Sequence, residues 1–132
     1  QAKNSKGCAQ KDDMQTLYPK LIEAPCWVLA SPVYWFNMSA QLKIFMDRLF
    51  ALGAYGKNPF YKKRIAIAMS YGDADTFRSG CVNALRTFQD AFHYTGSKIV
   101  GMVYGSANQP GEIENNAALM AQAEELGRKL VP

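Results

Sequence analysis

The chain has 132 residues, 48% of them apolar and 20% charged, with a formal net charge of +4. That length and balance suit one soluble globular domain with a single core and are too little for two. No apolar run approaches the roughly 20 residues that cross a bilayer, so a membrane partner is not expected. Gln1 to Gly7 are polar and carry no stretch of the signal-peptide kind. The basic residues are dispersed, and only Lys62, Lys63 and Arg64 run together. That run reads as a solvated loop, or at most as part of a mild positive field for phosphate-bearing cofactors. A dense basic patch or nucleic-acid module is missing, which argues against a nucleic-acid partner. The three cysteines, Cys8, Cys26 and Cys81, form no CxxC pair, so no metal site is expected from their spacing. Cys26 and Cys81 read as small core residues. Their odd number favours a reducing, cytoplasmic setting.

In chain order, Asp12 and Asp13 precede Met14, Leu17 and Leu21, spaced by three and four. This predicts an amphipathic helix with acids where the helix dipole favours them. Pro25 stops it. Cys26 to Ala30 is short and almost wholly apolar, as in a parallel strand buried on both faces. A helix is predicted over 39–52, with Leu42, Phe45, Met46, Leu49 and Phe50 on its buried face and Lys43 and Asp47 paired on its surface. Gly53, Gly56 and Asn58-Pro59 mark a loop. Ile65 to Met69 is the next strand. Phe77, Cys81, Leu85, Phe88 and Phe92 recur at helical spacing behind a cap at Asp75 or Thr76, and Gly96 ends that helix. Ile99 to Tyr104 is a third strand. Ile113, Ala117, Met120, Ala123 and Leu130 mark a final helix. Parallel strands are therefore expected near 26–31, 64–70 and 98–104.

This alternation predicts a single open α/β sheet with right-handed crossovers over 1–132. Such sheets bind ligands just past the carboxyl ends of their strands, which points to 31–39 and 70–76. The first segment places Tyr34, Trp35 and Phe36 in succession. Neighbouring side chains diverge, so three such rings are hard to bury together. They suit a flat ring ligand, and equally a cap on the sheet or a subunit contact. In the second segment Gly72-Asp73 reads by itself as an ordinary turn. His93 reads as a helix C-terminal residue that favours the dipole, and no catalytic side chain is singled out.

Three stretches carry a resemblance: Cys8-Ala9-Gln10-Lys11-Asp12-Asp13-Met14, Ser31-Pro32-Val33-Tyr34-Trp35, and Lys43-Ile44-Phe45-Met46-Asp47-Arg48. Their order and spacing resemble the NAD(P)H-dependent FMN reductases, closest to the iron–sulfur flavoprotein-like branch. The resemblance implies a flavodoxin-like fold and a homo-oligomer, dimer or tetramer. It implies FMN and NAD(P)H as cofactors and a small-molecule electron acceptor such as a quinone or flavin. It implies that Pro32, Val33, Tyr34, Trp35, Phe36 and Asn37 flank the flavin ring, with Ser70, Tyr71, Gly72 and Asp73 approaching its other side. A glycine at 72 would let the backbone approach a ring closely. Lys43, Asp47 and Arg48 are expected to be structural or interfacial.

The sequence departs from that family in two ways. The family begins with a strand and a Ser/Arg/Gly/Asn-rich loop that hold the FMN phosphate, then a helix and a second strand. These do not precede the Asp-Asp-Met helix here, so the N-terminal strands are expected to be missing and Cys26 to Ala30 to keep an unpaired edge. The iron–sulfur branch also carries a cysteine cluster before that helix, of which only Cys8 remains. Three functions follow. The first is an FMN-dependent oxidoreductase. The second is a truncated flavodoxin-fold module without flavin, acting in structure or interaction. The third is an electron carrier without a nicotinamide site.

Overall fold

The computed structural model describes residue 8 and residues 10–56 and 58–131. The polar lead from Gln1 to Gly7, and Ala9 of the first family-like stretch, lie outside the described residues. Four strands form one sheet: β1 (Cys26–Tyr34), β2 (Asn37–Met38), β3 (Arg64–Tyr71) and β4 (Lys98–Ser106), in the order β2-β1-β3-β4. β1, β3 and β4 are parallel, as the apolar runs predict, and β2 adds a short antiparallel hairpin to the end of β1. The helices are α1 (Met14–Glu23), α2 (Ala40–Arg48), α3 (Cys81–Thr95) and α4 (Ala117–Leu130). Among the described residues, no helix is long and apolar enough to cross a membrane.

The core lies on one face of the sheet. Trp27, Leu29, Ile65, Ile67 and Met69 point from the strands toward Tyr18, Cys81, Ala84, Phe88 and Phe92. Cys81 is fully buried, which pushes its thiol pKa up and leaves a small inert core residue. α4 packs on the other face, over β3 and β4. Gly101 on β4 permits this approach, since a Cβ there would lie 2.6 Å from Leu126.

Several expectations are corrected. β1 is not buried on both faces: α4 lies over β3 and β4, and Val28 is left 59% exposed. By contrast, the unpaired edge expected at Cys26 to Ala30 is observed: from Cys26 to Pro32 the outer edge of β1 has no strand partner among the described residues. The second helix ends at Arg48 and continues as a 3₁₀ segment, Leu49–Tyr55, which turns Phe50 out to 84% exposure. Phe77 lies outside α3 and is exposed. Asp75 does cap, but it caps a separate turn, taking the N–H of Phe77 at 2.8 Å and of Arg78 at 2.9 Å. Gly80, at φ 77°, then breaks the chain before α3 begins. Ile113 sits in a 3₁₀ turn, and Asn116 caps α4 by accepting from the Leu119 N–H at 3.0 Å.

The basic run is solvated only at Lys62, which is exposed in the turn before β3. Lys63 is 5% exposed, and its Nζ donates to the carbonyls of Ile22 at 3.0 Å and Ala24 at 2.5 Å, closing the end of α1. It also stands over the Trp27 ring, 5.1 Å from the centroid. Burial lowers its pKa from the ordinary lysine value. Arg64 binds the carbonyls of Lys129 and of Leu130, the latter at 2.9 Å, holding the end of α4. Periodicity could not show this, because both side chains reach helix ends distant in sequence.

Candidate functional site at the carboxyl ends of the strands

Pro32 on β1 pairs in register with Ser70 on β3, so the two predicted loops leave the sheet side by side. The first loop is a hairpin. Val33 pairs with Met38 and Tyr34 with Asn37, leaving Trp35 and Phe36 as its two central residues. Its base is tied by Ser31, whose Oγ accepts from the Ser39 N–H at 2.9 Å and donates to the Pro32 carbonyl at 2.8 Å. Ser39 in turn caps α2 through the Leu42 N–H at 3.3 Å. The end of β1 and the start of α2 are therefore tied to one another.

Both central residues have positive φ, 48° at Trp35 and 67° at Phe36, as a type I′ turn requires. Such turns favour Asn-Gly, and a bulky residue in this region costs on the order of 1–3 kcal/mol. The result is a set of projecting rings: Trp35 is 92% exposed, Tyr34 64% and Phe36 52%. Trp35 and Phe36 meet edge-on, their centroids 5.7 Å apart.

The second loop is held by the end of β4. The Ala107 N–H donates to the Tyr71 carbonyl at 2.8 Å, and Ser106 Oγ donates to the Asp73 carbonyl at 2.7 Å. Asp73 also has positive φ, 85°. Among the described residues, four non-glycine positions have positive φ, and Trp35, Phe36 and Asp73 lie in these two loops. Backbone strain of this kind concentrates at ligand sites. Gly72 approaches protein here: a Cβ on it would sit 3.0 Å from Asn108 Oδ1. Burial pushes the Tyr71 phenol above its ordinary pKa, with Cys81, Tyr104 and Asp75 adding to the shift. A phenol is protonated at neutral pH with or without this shift, so its hydroxyl can donate.

Between these loops and α4 lies a cavity of about 400 Å³, bordered by Ala30, Pro32, Ala68, Ser70, Tyr104 and Leu119. Of the ten predicted site residues it gathers Pro32 and Ser70, while the three rings stand outside it. Its lining includes no charged side chain. Sequence reasoning missed Tyr104 and Leu119, which enter only through the packing of α4. It also missed Gly80 and Asn83, which touch Phe36. His93 is exposed in the last turn of α3, on a different part of the surface from these loops. Among the described residues no three His, Cys, Asp or Glu side chains converge as a metal site requires. Lys43 and Asp47 pair at 2.6 Å, and Arg48 forms a two-pronged ion pair with Asp12. Arg48 holds the Asp12 carboxyl below its usual pKa.

A mainly parallel sheet with helices on both faces and paired loops at its carboxyl edge is the architecture of an open α/β domain of the flavodoxin-like kind. The profile of the NADPH-dependent FMN reductases matches residues 1–110, and the chain belongs to that family. It is 40% identical over 91 residues to the iron–sulfur flavoprotein MJ0731 of Methanocaldococcus jannaschii, covering 68% of this chain and 44% of that one. It is 30% identical over 127 residues to an iron–sulfur flavoprotein of Archaeoglobus fulgidus, covering 93% and 52%. The chain thus spans about half the length of these curated relatives. Among solved structures, the Trp repressor binding protein of Bacillus subtilis superposes with a TM-score of 0.76 at 27% identity, covering 87% of this chain and 70% of that one.

Proposed function

We propose that this chain is the ring-holding part of an FMN-dependent oxidoreductase that passes electrons from NAD(P)H to a quinone, a flavin or a similar acceptor. The observation that carries the reading is the strained hairpin, which spends stability to project Tyr34, Trp35 and Phe36 beside the loop from Ser70 to Asp73. Bound FMN would supply the hydride and electron transfer, which needs no catalytic side chain from the protein. Pro32, Val33 and Asn37 would border the ring with the three aromatics, and Ser70, Tyr71, Gly72 and Asp73 would border its other side. Tyr71, a phenol protonated at neutral pH, would offer that side a donor.

The residues fit a flat ring better than a phosphate, since the neighbouring cavity has no charged lining. The free edge of β1 and the bare Val28 suit a further strand and helix, whose loop would hold the phosphate. On this reading 1–132 is one flavodoxin-like domain that is N-terminally incomplete. Where that strand is lacking, copies of the short chain would associate through the same edge as a homo-oligomer, and the protein would work in the cytoplasm. The uncharged cavity also favours the second reading, a flavodoxin-fold module that binds no flavin.

FMN titration followed by fluorescence separates them. The 132-residue chain should bind FMN weakly, a version extended by the phosphate loop should bind tightly, and Trp35→Ala should weaken binding in both. Tight binding by the short chain would overturn the split phosphate site. No binding by either version would favour the module. Light scattering that gives a clean monomer at micromolar concentration would remove the oligomer.

A further inference from the structure

The bonds within the hairpin fix its base and leave its tip open. Ser31 ties the strand to α2, and Asn37 Oδ1 accepts from the Met38 N–H at 2.8 Å. Neither restrains the peptide of Phe36, where two aromatic residues hold a conformation that suits glycine. The restraint comes from α3. Asn83 Nδ2 donates to the Phe36 carbonyl at 3.0 Å. One turn earlier Gly80 lies against the same peptide, and a Cβ there would fall 2.5 Å from the Phe36 Cα and 2.8 Å from its carbonyl oxygen. α3 is itself rigidly seated, with Cys81, Ala84, Leu85 and Phe88 buried in the core.

We propose that Asn83 and Gly80 are positioning residues that hold the Trp35–Phe36 turn in its left-handed conformation and so set how firmly a ring ligand is gripped there. Gly80 lets the turn approach α3, and Asn83 latches it. The link to a ligand rests on the flavin reading above; the latch itself does not. Asn83 is exposed and its side chain lies outside the core, so it can be changed without emptying the interior.

Asn83→Asp keeps the shape and exchanges the donor for an oxygen that repels the Phe36 carbonyl. Residue 83 lies in the first turn of α3, where an acid suits the helix dipole, so the fold should tolerate the change. Fluorine NMR of protein labelled with 5-fluorotryptophan reads the latch without any ligand. The Trp35 resonance is assigned by its loss in Trp35→Ala. Asn83→Asp should shift or broaden that resonance, leave the core Trp27 resonance in place, and leave the melting temperature essentially unchanged. FMN affinity should fall by about fivefold, the worth of one ordinary hydrogen bond. In a Trp35→Ala background the same change should cost less than about twofold, because the two act as one unit. An unmoved Trp35 resonance overturns the proposal whatever FMN does. A full loss of FMN affinity from Asn83→Asp in the Trp35→Ala background overturns it as well. Absence of saturable FMN binding by both the parent chain and the version extended by the phosphate loop, with the Trp35 resonance still moved by Asn83→Asp, would sink the flavin reading and leave the latch standing.

Discussion

The two ends of the sheet are built on opposite terms. At the amino ends of β1 and β3, Lys63 and Arg64 close the carbonyl ends of α1 and α4, and the Cys26 thiol donates to the Leu130 carbonyl at 3.2 Å. Charges there are taken out of water and used to finish helices. At the carboxyl ends, large rings face solvent and three bulky or charged residues hold positive φ. The amino end uses polar atoms to finish helices and holds one strained position, Lys62 at φ 64°, while the carboxyl end gathers the other three and exposes apolar surface. Helix-closing bonds and exposed rings are thus separated along the strand axis, which lets the carboxyl loops vary without loosening the frame.

The largest test of that contrast is Lys63→Ala. It removes two charge-assisted hydrogen bonds and leaves the Ile22 and Ala24 carbonyls without their donor. Urea unfolding should show a loss of about 2–3 kcal/mol. A loss below about 0.5 kcal/mol would mean that the amino end is not the stabilising one.

Gly80→Ala should rank next, at about 1–2 kcal/mol, through its positive φ and the Cβ forced onto Phe36. Trp35→Ala should change stability by no more than about 0.5 kcal/mol, because the ring is 92% exposed, while weakening FMN. A large stability loss from Trp35→Ala would make the hairpin part of the frame after all. His93→Ala should alter neither stability nor FMN binding, which thermal melting and the same titration would check.

The smallest expected effect is one of pH. The Glu112 carboxyl is held below the usual glutamate range of about 4.5 by the N–H groups of Asn108 and Gln109. Its folded pKa is lowered, so its contribution is present at neutral pH and is lost as pH falls through that folded value. Amide exchange, corrected for intrinsic rate, should show Asn108 and Gln109 losing protection on acidification toward pH ~3 before the Arg64 amide does. Simultaneous loss at both ends would indicate global unfolding and erase the distinction.

By itself the sequence determined the three parallel strands, because β-branched and apolar runs bounded by turn residues admit little else. It also determined that 31–39 and 70–76 follow strand ends, and Pro32 and Ser70 do lie side by side in register. It located the end of α3 at Gly96, at φ 78°, since a left-handed cap follows from residue type alone. What it could not contain is any fact that depends on two distant segments meeting. The run Lys62-Lys63-Arg64 looks solvated until the ends of α1 and α4 are brought over it. Asn83 looks like one more exposed helical side chain until the Phe36 carbonyl arrives 47 positions away in sequence. Val28 belongs to a strand that reads as buried on both faces, and only the placement of α4 over β3 and β4 leaves it bare. Local conformation is set by neighbours in the chain, which the sequence states directly. Burial, pKa and the latch on a strained turn are set by neighbours in space, which only the folded sheet decides.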